Sequence, residues 1–233
     1  MVRDGFTRPE NGTMYWKEFI EQCNDIGIRS LPIVLSISLF LGMVMILQFF
    51  YQFVSPFIHM TVLASLVRDT AILELCPMIV CVVLAGVIGS KIASELGNMR
   101  VTEQIDALEI MGVNTKSYLI LPKVFAAMVM IPSLIVISIS VCIFGGYFAG
   151  VYAHILTHEQ FTSGVSSGFL PYNLFFALVK SFVFSVIITV IPAFFGYYVK
   201  GSALEIGKAS TAAVVVSCVM ILISDYVLSV LML

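Results

Sequence analysis

Three ionisable residues stand inside long apolar runs of this chain: Glu74, Lys180 and Asp225. A charged side chain at the centre of a bilayer costs about 2.5–3.5 kcal/mol on insertion scales, so such residues pair with one another or line a polar path. Counting to the basic residue that anchors each run gives similar depths: 17 residues from Glu74 to Lys91, 20 from Lys180 to Lys200 and 17 from Asp225 to Lys208. All three should sit in the outer part of a membrane, with Lys180 paired to Asp225 or to Glu74. A structural ion pair and a pair that shapes a polar site both fit this spacing.

A second constellation follows residue 100. Thr102 is placed to cap a short helix, Glu103 to sit in its first turn where the dipole favours an anion, and Gly112 to end it. Val101, Ile105, Leu108 and Met111 fall on one face; Glu103, Gln104, Asp106 and Glu109 fall on another. The pattern predicts a three-turn helix over 102–111, either an interfacial stirrup or a docking helix on which a soluble partner pushes. Just upstream, Ala85, Gly86, Gly89, Ser90, Ala93, Ser94 and Gly97 recur at spacings of three and four. Small residues let helices approach closely in lipid, where packing must replace the hydrophobic effect. Helix packing is the simple use of this strip; a smooth wall against a lipid tail or a two-fold axis is the other. Gly146 and Gly150 add a lone G-x-x-x-G. Glu95 follows Lys91 by four residues, which predicts an i,i+4 pair.

Several chemistries are missing. The segment 201–209 resembles a phosphate loop only distantly: its glycine spacing is one too long, and Ala209 replaces the Ser or Thr that would hold magnesium. There is no H-E-x-x-H and no G-x-S-x-G. His59, His154 and His158 are too far apart to suggest a metal site, and the five cysteines read as small packing residues. No cofactor or metal is therefore expected in this chain, and any energy it uses must come from another one. A net charge of −2 argues against nucleic acid. Asn11-Gly12-Thr13 matches a glycosylation triplet by chance, in a basic N-terminal segment. No cleavable signal peptide is expected, because the first apolar run starts near residue 31.

The elements that must hold these residues follow from composition. The chain is 60% hydrophobic and 11% charged, against about 25% charged residues in soluble domains. It reads as one integral membrane domain over 1–233: an interfacial segment at 1–30 and a five-span core at 31–233. A span needs about 20 apolar residues. Spans are expected near 32–54, 72–95, 124–152, 173–199 and 209–232, with a break at Pro56 and an outer connector over 55–71. Ten of the twelve Lys and Arg residues fall in 1–30, in 91–123, or at Lys200 and Lys208. Basic loops stay inside, so the N-terminus should be cytoplasmic and the C-terminus external. Before the first span, a helix capped by Thr13 should run to about Asp25. Trp16, Phe19, Ile20, Cys23 and Ile26 would lie on one face, with Lys17, Glu18, Glu21, Gln22 and Asp25 opposite. Such a helix lies in the interface, against lipid or against protein. The fold class is an all-α membrane protein.

The loop also carries a resemblance. Glu95-Leu96-Gly97-Asn98-Met99-Arg100-Val101-Thr102-Glu103-Gln104-Ile105-Asp106-Ala107-Leu108, then Met111, is similar to the signature loop of the MlaE/YrbE permeases. The similarity continues through Leu121-Pro122-Lys123, Gly145-Gly146 and Asp225, and covers roughly residues 14 to 233. The resemblance implies the membrane subunit of an ABC transporter that works with an MCE protein. It implies an interfacial N-terminal helix, five spans, and a cytoplasmic coupling helix at the loop that contacts a separate ATPase, where ATP and magnesium would bind. A homodimer in the bacterial inner membrane, an outer-face MCE-domain protein, a STAS-domain accessory protein and a phospholipid substrate belong to the same picture. Glu74, Glu95, Lys180 and Asp225 become candidates for the substrate cavity. The chain departs from the family where Arg-Glu-Leu-Gly-Pro is expected and Leu73-Glu74-Leu75-Cys76-Pro77 stands, and where Val87 and Ala212 replace basic residues.

Other classes fare worse on pattern. An intramembrane enzyme would need a nucleophile and base within the spans, and a channel would need a repeated polar face. A non-transporting scaffold subunit remains the alternative to a transporter subunit.

Overall fold

The computed structural model describes residues 12–52 and 60–232. Asn11, Pro56, His59 and the side chain of Thr13 lie outside the described residues. The described chain is helical: α1 (Gly12–Ile26), a 3-10 turn (Ile28–Ser30), α2 (Leu31–Gln52), α3 (Met60–Thr70), α4 (Cys76–Leu84), α5 (Ser90–Val101), α6 (Gln104–Ile110), α7 (Thr115–Tyr152), α8 (His158–Ser166), α9 (Pro171–Tyr197) and α10 (Ala203–Met232). Five stretches are long and apolar enough to cross a membrane: 16–52, 61–101, 115–152, 171–197 and 203–232.

The second stretch corrects the expected connector over 55–71. Its residues 60–70 are helix α3, joined without a break to α4 and α5 through two π-helical turns at Ala71–Leu75 and Ala85–Gly89. At about 1.5 Å per residue, its 41 residues exceed a hydrocarbon core of about 30 Å. The first π turn has a local cause. Pro77 has no N–H to give the carbonyl of Leu73, the acceptor four residues back, so the ladder must be rearranged there. The third stretch is likewise longer than expected, since α7 starts at Thr115 rather than near 124.

The chain forms two compact units. One comprises residues to Ser30, Cys81–Pro132 and Ser181–Leu233; the other comprises Leu31–Val80 and Ser133–Lys180. In the first, the small-residue strip is divided. Gly89 lies against Pro192, Gly97 against the side chain of Ile206, and Gly196 against the backbone of Ala93, so the second span meets α9 at backbone distance and α10 through a side chain. Ser210 Oγ donates to the carbonyl of Ser90 at 3.2 Å. Gly86 faces open space instead, so only part of the strip is packing surface.

The second unit also rests on close backbone approach. Gly42 meets the carbonyl of Cys142, and Gly145 meets that of Leu39, which brings α2 and α7 together. Ser38 and Ser138 share a buried hydrogen bond of 2.7 Å at that crossing. Gly164 of α8 lies on the carbonyl of Thr61 in α3. Buried Arg68 then ties α3 to the α8–α9 turn, donating to the carbonyls of Val165 and Ser167 at 2.6 Å each and pairing with Asp69 at 2.9 Å.

A Cβ at Gly42 or Gly145 would meet backbone, which cannot step aside as a side chain can. Gly42→Leu should therefore cost about 3 kcal/mol or more and lower the thermal stability of the detergent-solubilised protein. Gly86→Ala, with open space around it, should leave that stability unchanged.

Candidate functional site

The site residues gather at two places, one in each unit. In the first unit, α5 carries a series of ion pairs. Lys91 Nζ donates to Asp25 of α1 at 2.6 Å, and Asp25 also holds Arg29 at 2.7 Å. Glu95 receives both its hydrogen bonds, 2.9 Å each, from buried Lys123 of α7. The expected Lys91–Glu95 pair is therefore replaced by two tertiary pairs. An exposed i,i+4 pair is worth only about 0.3–0.5 kcal/mol, and Lys preceding Glu is its weaker order. A buried ammonium such as that of Lys123 needs a partner far more.

These contacts also place α1. Gln22, expected on the solvent face, is buried, and Asp25 is half-buried against α5. Trp16 and Ile20 stay exposed. The helix thus docks on protein through Gln22, Asp25 and Ile26 while its apolar edge remains open.

Beyond α5 the chain turns sharply into α6. Thr102 does not cap α6: its Oγ1 donates backward to the carbonyl of Asn98 at 2.8 Å, and it closes α5. Glu103 occupies the N-cap with φ +59° and makes no side-chain cap. Only this residue separates Thr102 from α6, so it takes the left-handed corner that two abutting helices require, at a cost of about 1–2 kcal/mol. Gly112, at φ +81°, ends the helix as its type predicts.

A latch holds α6 in place. Arg100 donates to Asp106 at 2.6 Å and lies over the ring of Tyr197 at 5.9 Å. Tyr197 donates to Glu109 at 2.8 Å, and the hydroxyl of Thr115 sits 2.9 Å from that of Tyr197 and 3.2 Å from Glu109. Ile105 is fully buried beneath. Asp106 and Glu109, expected on an outward polar face with Glu103 and Gln104, are instead tied to Arg100 and to Tyr197 and Thr115. Glu103 and Gln104 are exposed. Met111, assigned to the apolar face with Ile105 and Leu108, is 68% exposed, and its neighbour Ile110 is 87% exposed. Ile110 and Tyr197 escaped the sequence reading, and Arg100 entered it only as part of the loop motif; an aromatic belt residue at the end of the fourth span was the available signal for Tyr197.

The Tyr197 hydrogen bond holds the Glu109 carboxyl below its ordinary range, helped by Thr115 and by the charges of Arg100 and Lys116; desolvation acts the other way.

In the second unit, Lys180 is fully buried. Its ammonium reaches Glu74 Oε1 at 3.1 Å and the Leu73 carbonyl, four residues before Pro77, at 3.1 Å. The ring of Phe176 lies 4.5 Å away. Of the two partners considered, Glu74 is in contact. Asp225 is buried on α10, in the first unit. Among the described residues no group of His, Cys, Asp and Glu is arranged to hold a metal ion.

A helical membrane body with a short latched helix between its second and third spans, and with ion pairs set into its apolar helices, is the architecture of a membrane permease subunit. The chain matches the permease MlaE family over residues 19–231, and it belongs to that family. It is 37% identical to a probable ABC transporter permease protein of Rickettsia bellii, over 93% of this chain and 83% of the relative. A probable ABC transporter permease protein of Synechocystis is 34% identical over 95% and 84%. The intermembrane phospholipid transport system permease protein MlaE of Haemophilus influenzae is 31% identical over 91% and 82%.

Lys180→Met removes the ammonium from both Glu74 and the Leu73 carbonyl. It should destabilise the protein by about 3–5 kcal/mol, seen as a lower melting temperature in detergent, while Lys180→Glu with Glu74→Lys should recover part of that loss. A second outcome concerns pH. A carboxylate whose folded pKa is lowered stabilises above its unfolded value and loses that stabilisation as pH falls through the folded one. Wild type should melt above Glu109→Gln near neutrality, and the gap should close as pH drops below about 4.3.

Proposed function

We propose that this chain is the permease subunit of an ABC transporter that moves phospholipid between the inner membrane and an MCE protein on its outer face. The observation that carries the reading is α6: a short helix locked to α5, α7 and α9 by Asp106, Glu109 and Ile105, yet presenting Ile110 and Met111 with nothing from the described residues over them. A rigid helix with bare apolar ends is suited to receive force from a soluble partner and pass it to two spans at once. The partner is a separate ATPase, docked across 102–111, where Thr102, Glu103, Gln104 and Leu108 complete the surface. That side is cytoplasmic by the distribution of Lys and Arg, which puts the N-terminus inside and the C-terminus outside.

Two copies form the transporter. Helix α10 keeps only 17% of its most apolar stretch buried, against 50% for the second span, and leaves a long apolar face for a second copy. Lys180 and Glu74 in one unit, and Asp225 and Glu95 in the other, are the candidate polar residues for receiving a phospholipid headgroup. The name of the Haemophilus influenzae relative supports this substrate class. The chain itself carries out no hydrolysis in this reading. A STAS-domain protein is a further partner of the assembly.

Purification from native membrane, with partners and lipid identified by mass spectrometry, tests the whole reading. An ATPase subunit and phospholipid should be recovered; a lone monomer carrying neither would favour a scaffold. Ile110→Asp with Met111→Asp should abolish ATPase association while leaving the melting temperature unchanged, because neither side chain is buried in this chain. Glu103→Lys with Asp106→Lys should weaken it as well.

A further inference from the structure

Between the end of α1 and the second span lies a cavity of about 110 Å³ with an unusual lining. A single water needs about 10–15 Å³ measured in this way, so there is room for a group of several non-hydrogen atoms. Arg29, Lys91, Asp25 and Glu95 bring two positive and two negative charges to its wall, and Gln22 and Ser30 bring two buried polar side chains. Ser30 is 2% exposed. Asp25 holds Arg29 with one oxygen and Lys91 with the other, which fixes two cationic donors on either side of one carboxylate.

The charges select the ligand. A simple anion would face Asp25 and Glu95, a simple cation would face Arg29 and Lys91, and an apolar group would leave all four desolvated. Asp25 already answers Arg29 and Lys91, and Glu95 answers Lys123; a zwitterion uses what these pairs leave over, accepting from the remaining N–H donors of Arg29 and Lys91 and donating to the remaining lone pairs of Glu95. Carboxylates bind a primary ammonium through its N–H donors, whereas a quaternary ammonium prefers an aromatic cage; no aromatic residue lines this cavity. Exposed Ile28 and Val87 stand beside it, where acyl chains would lie.

We propose that this cavity holds the headgroup of one phosphoethanolamine lipid. The phosphate accepts from the N–H donors of Arg29 and Lys91 that Asp25 does not use and from the Ser30 hydroxyl, and the ammonium faces Glu95. The lipid is a resident that braces α1 against the second span. This rests on the chain being membrane-embedded and not on the transport reading above.

The full complex, in phosphatidylglycerol nanodiscs containing a minor fraction of phosphatidylethanolamine with a photoactivatable group near the glycerol, is irradiated and the labelled peptides are mapped. Labels are expected in the segments 16–30 and 84–95. Unlabelled phosphatidylethanolamine should compete about tenfold better than phosphatidylcholine or phosphatidylglycerol, the effect of one charge-assisted hydrogen bond. Ser30→Phe, which fills the cavity, should remove these labels. Equal competition by the three lipids, or labels that survive Ser30→Phe, would overturn the proposal. Labels confined to the surroundings of Glu74 and Lys180 would also overturn it while supporting the substrate cavity, and the wild-type competition decides the matter even if the variant fails to fold.

Discussion

A charge within an apolar helix must be answered by a partner, and in this chain nearly every such answer ties the second span to another helix. Glu74 meets Lys180 of α9; Lys91 meets Asp25 of α1; Glu95 meets Lys123 of α7. Arg100, at its end, reaches both α6 and the ring of Tyr197. Lipid tails are as apolar as the helices, so burial of apolar surface cannot choose between neighbours. Ion pairs with defined geometry can. The second span is in this sense the frame of each unit to which it contributes.

The same span supplies the close contacts that let those pairs form. Its small residues at 89, 93 and 97 bring α9 to backbone distance and admit the Ile206 side chain of α10. Its two π turns interrupt the regular ladder, and the first lies at the carbonyl that Lys180 uses. A proline that removes one donor and a lysine that supplies another are complementary parts of one arrangement. Neither is explained by helix propensity.

The docking role proposed for α6 rests on this frame. Buried Ile105 and the surface pairs of Asp106 and Glu109 hold α6 in position, so its exposed tip is presented on a fixed helix. The left-handed Glu103 makes the corner that orients it. A helix so held transmits displacement, whereas a loosely tethered one would absorb it.

Most of the architecture was legible in the residues. Apolar run lengths determined the number of spans, because a bilayer of given thickness demands them, and Gly112 marked the end of α6 because few residues accept a positive φ. The amphipathic pattern of α1 and the short helix after Arg100 were equally visible. Partner choice was not. Lys91 and Glu95 are four apart, yet each turned to a different helix; Thr102 closed the helix behind it; Asp106 and Glu109, still at the surface, were tied to Arg100 and to Tyr197 and Thr115; and the stretch 60–70 continued the second span. Local spacing sets which residues share a helix face. Only the packed helices decide which distant side chain answers each charge, because that depends on geometry between segments far apart in the chain.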